Sequence, residues 1–277
     1  MKITVITPSR HRVRGLEAIL YSLRYLESQE NEVQYGVICD NDDLETVVAC
    51  QKLQKVIPLA YRVGERFVTM GSAINDMARF MPADVYLVLN DDILCLSPKW
   101  DKEIVQAVNK TPHGVFWWTN DYDYDALYPI VTEKWRQAAD GIFAENFPFW
   151  YDDLCLAELW VMTTDQEPIR LSIKIADKPV ATQRMRELKF WQKVYTETRK
   201  LRVRQSVEIA KKLGLPEPQC GSELAKRLTA ALVAMDDERL SQIEKNQGDT
   251  THPDNNYLIA KQNAEKLLQY IETLEAA

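Results

Sequence analysis

The chain has 277 residues, of which 46% are hydrophobic and 27% are charged, a composition typical of a folded globular protein rather than a disordered or fibrous one. Its 34 Lys and Arg side chains are outnumbered by 41 Asp and Glu side chains. The resulting net charge of −7 argues against a protein that binds nucleic acid over its whole surface. The length suffices for one large domain, or for one domain with an appendage.

The cysteine pattern indicates a reducing compartment. The five cysteines are Cys39, Cys50, Cys95, Cys155 and Cys220, and no two of them form a C-x-x-C pair. The scatter and odd number argue against a disulfide framework and against a zinc knuckle, so we expect buried free thiols. The N-terminal apolar run is too short for a signal peptide, and no stretch approaches the ~20 apolar residues of a membrane-spanning helix. We therefore expect a soluble, cytoplasmic protein.

Strand and helix patterns alternate through the first half of the chain. Five short apolar, often β-branched runs predict buried strands, and four segments with apolar residues at helical spacing predict helices. The strands are predicted at 3–7, 35–39, 59–63, 85–89 and 114–119, and the helices at 15–26, 44–56, 71–80 and 99–109. Such alternation predicts βαβ units in a mostly parallel sheet that is covered by helices on both faces.

The second half of the chain is predicted to be helical. A long polar helical pattern at 183–213 is followed by helical stretches at 222–246 and 257–274. The sequence therefore predicts an α/β domain over residues 1–182 and a helical C-terminal subdomain over residues 183–277.

Basic residues are concentrated at 184–212, which contain ten Lys and Arg side chains but three Glu side chains. An ordinary solvated helix face explains such a segment. A surface for an anionic partner, such as nucleic acid, a phosphorylated acceptor or a membrane, explains it as well.

Polar clusters follow three of the predicted strands, at 8–11, 40–43 and 90–92. In open α/β sheets, ligands bind at the carboxyl ends of the strands, so these clusters are expected to form one site. Adjacent carboxylates repel each other, and a divalent cation such as Mg²⁺ or Mn²⁺ would relieve that repulsion. We predict that Asp92, helped by Asp91, binds a metal and a diphosphate. The alternative is a simple turn that caps a helix.

A second acidic pair, Asp152 and Asp153, directly follows the aromatic segment 147–151. An apolar setting raises the pKa of a carboxyl group towards that of a useful general base. The alternative is that one of the two side chains caps a helix at 154–161.

Together these segments resemble a family-two glycosyltransferase of the GT-A fold, over about residues 1–160. Five pieces carry the resemblance: the opening strand and loop at 3–10, the nucleoside-contacting acid at Asp40, the short helix at 71–75, the metal-binding DxD motif at 89–92, and the acceptor segment at 141–145 with its acidic pair. Asn90 stands in place of the first Asp of the DxD motif, and Asp152 stands where Glu is usual.

The resemblance implies a Rossmann-like α/β GT-A domain with a mostly parallel sheet, and inverting, metal-assisted transfer from a nucleotide-diphosphate sugar. The expected donor is a UDP-sugar, the expected cofactor is Mn²⁺ or Mg²⁺ at Asp92, and the expected general base is Asp153 or Asp152. The implied nucleotide-sugar-binding residues are Thr7, Pro8, Ser9, Arg10, Asp40, Arg66, Gly71, Asn75, Asn90 and Asp91. The implied acceptor-binding residues are Trp150 and Tyr151.

The acceptor and the metal ligands beyond Asp92 stay open at this point. A saccharide, a lipid-linked sugar, a protein or a polyanion such as modified DNA, held by 184–212, are the acceptors that we consider. His113 or His252 could complete a metal site.

Three other classes of protein were weighed. A sugar nucleotidyltransferase is disfavoured because its Gly-rich phosphate loop has no counterpart before Gly15. A dinucleotide oxidoreductase is disfavoured because no G-x-G-x-x-G follows the first strand. A non-catalytic sugar- or nucleic-acid-binding protein on a GT-A scaffold is favoured by Asn90 and opposed by the retained Asp92 and Asp153.

Overall fold

A computed structural model describes residues 1–119, 128–148, 151–177, 187–218, 222–227 and 255–276. The chain forms two compact units. The first consists of Met1–Arg66, Ala73–Ile142 and Pro168–Val180, and the second of Phe67–Ser72, Phe143–Glu167 and Ala181–Ala277. The predicted boundary between residues 182 and 183 lies outside the described residues, so the two-domain division made from the sequence stays a prediction.

The first unit is built on a mixed sheet to which, among the described residues, eight strands contribute. The strands are β1 (Lys2–Pro8), β2 (Glu32–Asp40), β3 (Leu59–Gly64), β4 (Val85–Val88), β5 (Ile93–Cys95), β6 (Val115–Thr119), β7 (Pro129–Thr132) and β8 (Ile169–Asp177). Their order is β3-β2-β1-β4-β7-β6-β8-β5. The pairs β1–β2, β1–β4, β2–β3 and β6–β8 are parallel, and β4–β7, β6–β7 and β5–β8 are antiparallel. The predicted α/β class with a mostly parallel sheet is confirmed.

Helices follow the strands much as the sequence predicts. They are α1 (Val13–Leu26), α2 (Leu44–Leu53), α3 (Met70–Phe80), α4 (Trp100–Lys110) and α5 (Glu133–Ala139). In α1 the apolar residues recur every three or four positions, which places one face of the helix in the core of this unit. Leu16, Ile19, Leu20 and Leu23 are buried there. The middle of β1 is buried without alternation, as expected for a strand covered on both faces.

Four elements were not predicted from the sequence. β5 and β7 have three and four residues, too few to show a period. In β8 polar residues interrupt the apolar ones, and α5 is less than two turns long at seven residues. The segment 183–213, predicted as one long helical pattern, is divided into two helices within its described part.

The second unit is helical where it is described. Its helices are α6 (Asp152–Thr164), α7 (Leu188–Glu197), α8 (Arg199–Leu213) and α9 (Asn255–Ala276). An aromatic cluster forms its core. The Tyr151 and Tyr195 rings stack at 5.1 Å, and the Trp191 indole donates a hydrogen bond to the Tyr257 hydroxyl at 3.1 Å. Most of the predicted stretch 222–246 lies outside the described residues.

A buried ion pair joins three helices of this unit. Glu158 of α6 is 0% exposed, and its carboxylate accepts hydrogen bonds from Arg202 and Arg199 of α8 and from the Tyr195 hydroxyl of α7. The Arg202 guanidinium also lies 4.1 Å from the centre of the Tyr195 ring. Two of the basic residues counted in 184–212 therefore compensate a buried charge rather than face solvent.

The expectation of buried free thiols is confirmed for Cys39, Cys50, Cys95 and Cys155, while Cys220 lies outside the described part of the chain. None of the described helices has the length and apolar character needed to cross a bilayer.

Candidate functional site

The carboxyl ends of the central strands lie side by side in the first unit. In the parallel pairs, Pro8 of β1 is opposite Ile38 of β2, and Ile6 is opposite Val88 of β4. The chain segments that leave these strands, 8–12, 40–43 and 89–92, therefore meet at one edge of the sheet, as the sequence predicts.

Arg10 binds the two acids that bracket the turn after β2. Its guanidinium donates to Asp40 at 2.6 Å and, through its second nitrogen, to Asp42 at 2.8 Å. The hydrogen bond from Arg10 lowers the pKa of Asp42, and the pKa of Arg10 is raised in turn. Arg66 adds a more distant charge, with its Nε 3.9 Å from Asp40. The predicted nucleoside-contacting acid is thus already held by arginine.

Arg12 and Ser9 hold the acidic pair that follows β4. Nη1 of Arg12 lies 2.9 Å from Oδ1 of Asp91 and 3.3 Å from Oδ2 of Asp92, and the Ser9 hydroxyl donates to Oδ2 of Asp91 at 2.8 Å. Asp91 is only 4% exposed, and this burial raises its pKa. Asn90 precedes the pair, and the segment forms a turn into β5 rather than the helix cap considered as an alternative.

Asp43 is the N-cap of α2 and ties α2 to the loop after β1. Its carboxylate accepts hydrogen bonds from the backbone N–H and hydroxyl of Thr46 and, at 2.6 Å, from the backbone N–H of His11. Burial, the largest influence, would raise the pKa of Asp43, but these hydrogen bonds together lower it. This cap fixes the loop that carries Ser9, Arg10 and Arg12.

Four further residues of the predicted nucleotide site lie at or near the first strand and at α3. Thr7 is fully buried with its hydroxyl unpartnered, and Pro8 ends β1. Asn75 is 2% exposed and accepts a hydrogen bond from the backbone N–H of Ile142 at 2.7 Å. Gly71 is the second residue of α3, and a Cβ at this position would lie 2.3 Å from the carbonyl oxygen of Ala144.

The predicted general bases open α6 in the second unit. The helix begins at Asp152, so neither Asp152 nor Asp153 is its N-cap residue, which is Tyr151 in a left-handed conformation. Asp152 is 7% exposed, and burial raises its pKa to about 6, as the aromatic surroundings predict. Asp153 is half-buried. Tyr151 is 2% exposed in the aromatic core, and Trp150 lies outside the described residues.

Asp92 is the described residue best placed to hold a cation. Its Oδ1 is buried and has no hydrogen-bond partner. No group of three or more His, Cys, Asp and Glu side chains converges on one point among the described residues. A hard divalent ion that takes one or two carboxylates and completes its shell with substrate phosphates and water fits this donor set.

Of the two histidines considered from the sequence, His113 is not at this edge. His113 precedes β6, and β6 runs in the same direction as β4 because both are antiparallel to β7. His113 therefore lies at the amino-terminal edge of the sheet, opposite Asp92, which disfavours it as the additional metal ligand considered from the sequence. His252 lies outside the described part of the chain.

Sequence reasoning placed Asp42 and Asp43 in the polar cluster at 40–43 but assigned them no role, and it missed Arg12. The role of Asp43 could have been found, since an Asp directly before a helical pattern is a typical N-cap. Nothing in the sequence distinguishes Arg12 from Arg10 or Arg14. Arginines of the chain itself contact these carboxylates and relieve part of their repulsion, and the divalent cation expected from the sequence stays a prediction.

Comparison with known proteins supports the fold. No protein-family model and no curated protein matches the sequence. Among solved structures, the Pyrobaculum calidifontis mannosyltransferase PcManGT in complex with GDP-Man and Mn²⁺ is 14% identical, with a TM-score of 0.54 over 98% of this chain and 86% of that chain. S. aureus TarS 1–349 in complex with UDP-GlcNAc is 15% identical, with a TM-score of 0.55 over 98% of this chain and 81% of that chain.

A longer TarS crystal structure aligns over 56% of this chain, which spans 32% of the TarS chain. The fold of this chain is thus of the GT-A type found in glycosyltransferases, as the resemblance implies. At these identities the likeness describes the fold, and the chemistry has to be argued from the site itself.

Proposed function

We propose that this chain is a glycosyltransferase that moves a sugar from a nucleotide-diphosphate sugar, with a UDP-sugar as the expected donor, to an acceptor hydroxyl. The observation that carries the proposal is the cluster of Ser9, Arg10, Asp40, Asp91 and Asp92 at the carboxyl edge of a GT-A sheet. The solved structures of similar fold that hold GDP-Man and UDP-GlcNAc support it.

Each part of this edge has a role in the proposal. Asp40 accepts hydrogen bonds from the nucleoside, and Arg10 and Arg66, which lie beside it, contact the diphosphate. Asp92 with Asp91 holds Mn²⁺ or Mg²⁺, whose chemistry is to stabilise negative charge on the departing diphosphate. The unpartnered Oδ1 of Asp92 supports this part of the proposal, as does the Mn²⁺ in the PcManGT complex. The remaining nucleotide-sugar contacts are proposed at Thr7, Pro8, Gly71, Asn75 and Asn90.

The acidic pair of α6 supplies the general base of an inverting transfer. The acceptor hydroxyl loses its proton to a carboxylate while its oxygen bonds to the anomeric carbon, and the bond to the nucleoside diphosphate breaks. Asp153 is our first choice because it is the less buried of the two. Asp152 is the second choice because its pKa of about 6 is closer to the working pH of a base. Trp150 and Tyr151 are proposed near the acceptor.

The proposal is tested by calorimetric titration with UDP, GDP, CDP and dTDP, each with and without Mn²⁺. One nucleoside diphosphate is expected to bind, and Asp40→Asn is expected to raise the Kd for this nucleotide at least tenfold. Asp84→Asn is the matched control, because Asp84 lies at the opposite end of β4, where it accepts a hydrogen bond from the Lys2 backbone. Failure of all four to bind a folded protein contradicts the proposal.

We propose a phosphodiester polymer as the acceptor class, although the exposed Glu208 also lies on this side of α8. Lys200, Arg204 and Lys211 are exposed on α8 and are spaced by four and seven residues, so that they share one side of the helix. Val207, 40% exposed, is a small apolar residue between them, which favours a dissolved polyanion over a membrane surface.

Salt dependence tests this acceptor. Replacing the three side chains by Gln is expected to lower the log–log salt slope of binding to a single-stranded oligonucleotide by about two, at ~0.7 per phosphate contact. A second arm with a sugar–phosphate polymer distinguishes nucleic acid from other phosphodiesters. The matched control removes three exposed charges elsewhere, at Lys52, Lys55 and Lys110. An unchanged slope, or equal loss in the control, contradicts a role for α8.

A further inference from the structure

The cation nearest to the Asp91–Asp92 pair in the described structure is part of the chain itself. Nη1 of Arg12 contacts both carboxylates, at 2.9 Å and 3.3 Å. The Arg12 side chain is 17% exposed and that of Asp92 is 16% exposed, so solvent screens this contact less than a surface ion pair. A guanidinium stays protonated at any physiological pH, so this charge is always present.

The two oxygens of Asp92 differ in their surroundings. Oδ2 faces the guanidinium of Arg12, whereas Oδ1 is buried and unpartnered. Asp91 is more fully engaged, because one oxygen accepts from Arg12 and the other from Ser9. Binding of an ion to Oδ1 would break no hydrogen bond, although this atom is shielded from solvent, and binding by the whole carboxylate of Asp92 requires Arg12 to withdraw.

Arg12 has room to withdraw while its backbone stays in place. It lines a groove of about 730 Å³ between the starts of α1 and α2, which His11, Arg14, Glu45 and Lys52 also line. The backbone beside it is held by close packing, since Gly15 lies against the carbonyl of Asp91. A change of side-chain rotamer, and no movement of α1, is all that release of Asp92 needs.

We propose that Arg12 is the resident counter-ion of the Asp91–Asp92 pair and competes with the divalent cation for Asp92. In the absence of nucleotide, Arg12 compensates one of the two negative charges of the pair and keeps the intrinsic affinity for the cation low. A nucleoside diphosphate supplies additional oxygen ligands and the negative charge that favour the ion over the guanidinium. The inference rests on the metal site of the proposed function and adds a residue that controls when this site is filled.

The test is titration of the protein with Mn²⁺ alone, followed by the electron paramagnetic resonance of the free ion. Arg12→Gln is expected to lower the Kd for Mn²⁺ at least tenfold, because the ion no longer competes with a charge about 3 Å from its ligand. Arg14→Gln is the matched control: Arg14 is exposed, two residues away, and its loss changes the net charge equally. It is expected to change the Kd less than twofold. Asp92→Asn is expected to abolish Mn²⁺ binding both in the wild-type chain and in the Arg12→Gln variant.

Several results overturn the inference. They are an Arg12→Gln affinity within twofold of wild type, an equal gain in Arg14→Gln, and Mn²⁺ binding that survives Asp92→Asn. If the Arg12→Gln variant does not fold, the inference is tested on the wild-type chain by nuclear magnetic resonance. Saturating Mg²⁺ is expected to shift the side-chain Nε–H resonance of Arg12. An unchanged resonance contradicts displacement of Arg12 by the ion.

Nucleoside diphosphate binding, measured with and without Mn²⁺ on the same samples, separates the two proposals. If a diphosphate binds but Arg12→Gln gains no Mn²⁺ affinity, the inference fails and the proposed function stands. If Arg12→Gln gains Mn²⁺ affinity but no diphosphate binds any variant, the proposed function fails and the inference stands.

Discussion

The guanidinium of Arg12 lies 2.9 Å from the carboxylate of Asp91, and it thereby supplies the positive charge that the sequence led us to expect from a metal ion. The two residues are joined across adjacent parallel strands, since Arg12 follows β1 and Asp91 follows β4. Arg10 likewise contacts the carboxylates of Asp40 and Asp42, which follow β2. Part of the negative charge at the carboxyl edge of the sheet is therefore compensated by the chain itself before any ligand binds.

Gly15 sets how closely α1 approaches the Asp91 backbone, and Gly15→Ala tests this packing. A Cβ at Gly15 would lie 2.1 Å from the carbonyl oxygen of Asp91. We expect the variant to lose about 1–3 kcal/mol of unfolding free energy, because the loop that carries Asp91 must move. Urea unfolding measures the loss. Gly64→Ala is the control, since no atom lies within 4 Å of that added Cβ. Equal stability of both variants would contradict the account.

Asp43→Ala removes the N-cap of α2 and is expected to cost about 1–2 kcal/mol at pH 7. The pKa of Asp43 is lowered in the folded protein, so its contribution is fully present above the unfolded pKa of about 4 and is lost as the pH falls through the folded value. The difference between wild type and variant should therefore shrink below pH 4 in urea unfolding. Glu265→Ala, at an exposed position in the middle of α9, is the control. A difference that stays constant down to pH 3 would argue against the cap.

Local patterns predicted the sheet and its edge, while the partners of the charged side chains required the fold. β1, β2 and β4 and the polar clusters after them could be predicted because buried strands are visible as apolar runs. β5 and β7 could not, because short strands derive their pairing from neighbours distant in sequence. The contact between Arg12 and Asp91 spans 79 residues, and no local pattern encodes it.

Asp152→Asn tests the burial of the predicted base. Burial raises the pKa of Asp152 to about 6, so the contribution of this carboxyl group to stability is fully present below the unfolded pKa of about 4 and is lost as the pH rises through 6. The size of this loss is about 3 kcal/mol, and the neutral Asn variant should not show it. In urea unfolding at pH 4, 5, 6 and 7, the free energy of unfolding of the variant should increase relative to that of wild type as the pH rises. A pH-independent difference would contradict the burial of a titrating carboxyl group.

Glu158→Gln tests the buried ion pair of the helical unit. Removal of the carboxylate leaves Arg202 buried without its counter-ion, which is expected to cost about 3–5 kcal/mol. Glu167→Gln is the matched control, because the Glu167–Arg227 pair is mostly exposed and should change stability by at most about 1 kcal/mol. Thermal unfolding of the two variants measures the contrast. Comparable losses in both would contradict a structural role specific to Glu158.

The most direct test of the central claim is chromatographic detection of nucleoside diphosphate released from UDP-, GDP-, CDP- and dTDP-sugars, in the presence of Mn²⁺ and a phosphodiester acceptor. The account predicts release from one class of donor, with the sugar recovered on the acceptor or in water. It further predicts that Asp92→Asn loses at least 90% of this release, whereas Asp84→Asn retains it. Binding without release would favour a non-catalytic sugar-nucleotide-binding protein, and the absence of both, in a folded chain, would contradict the account.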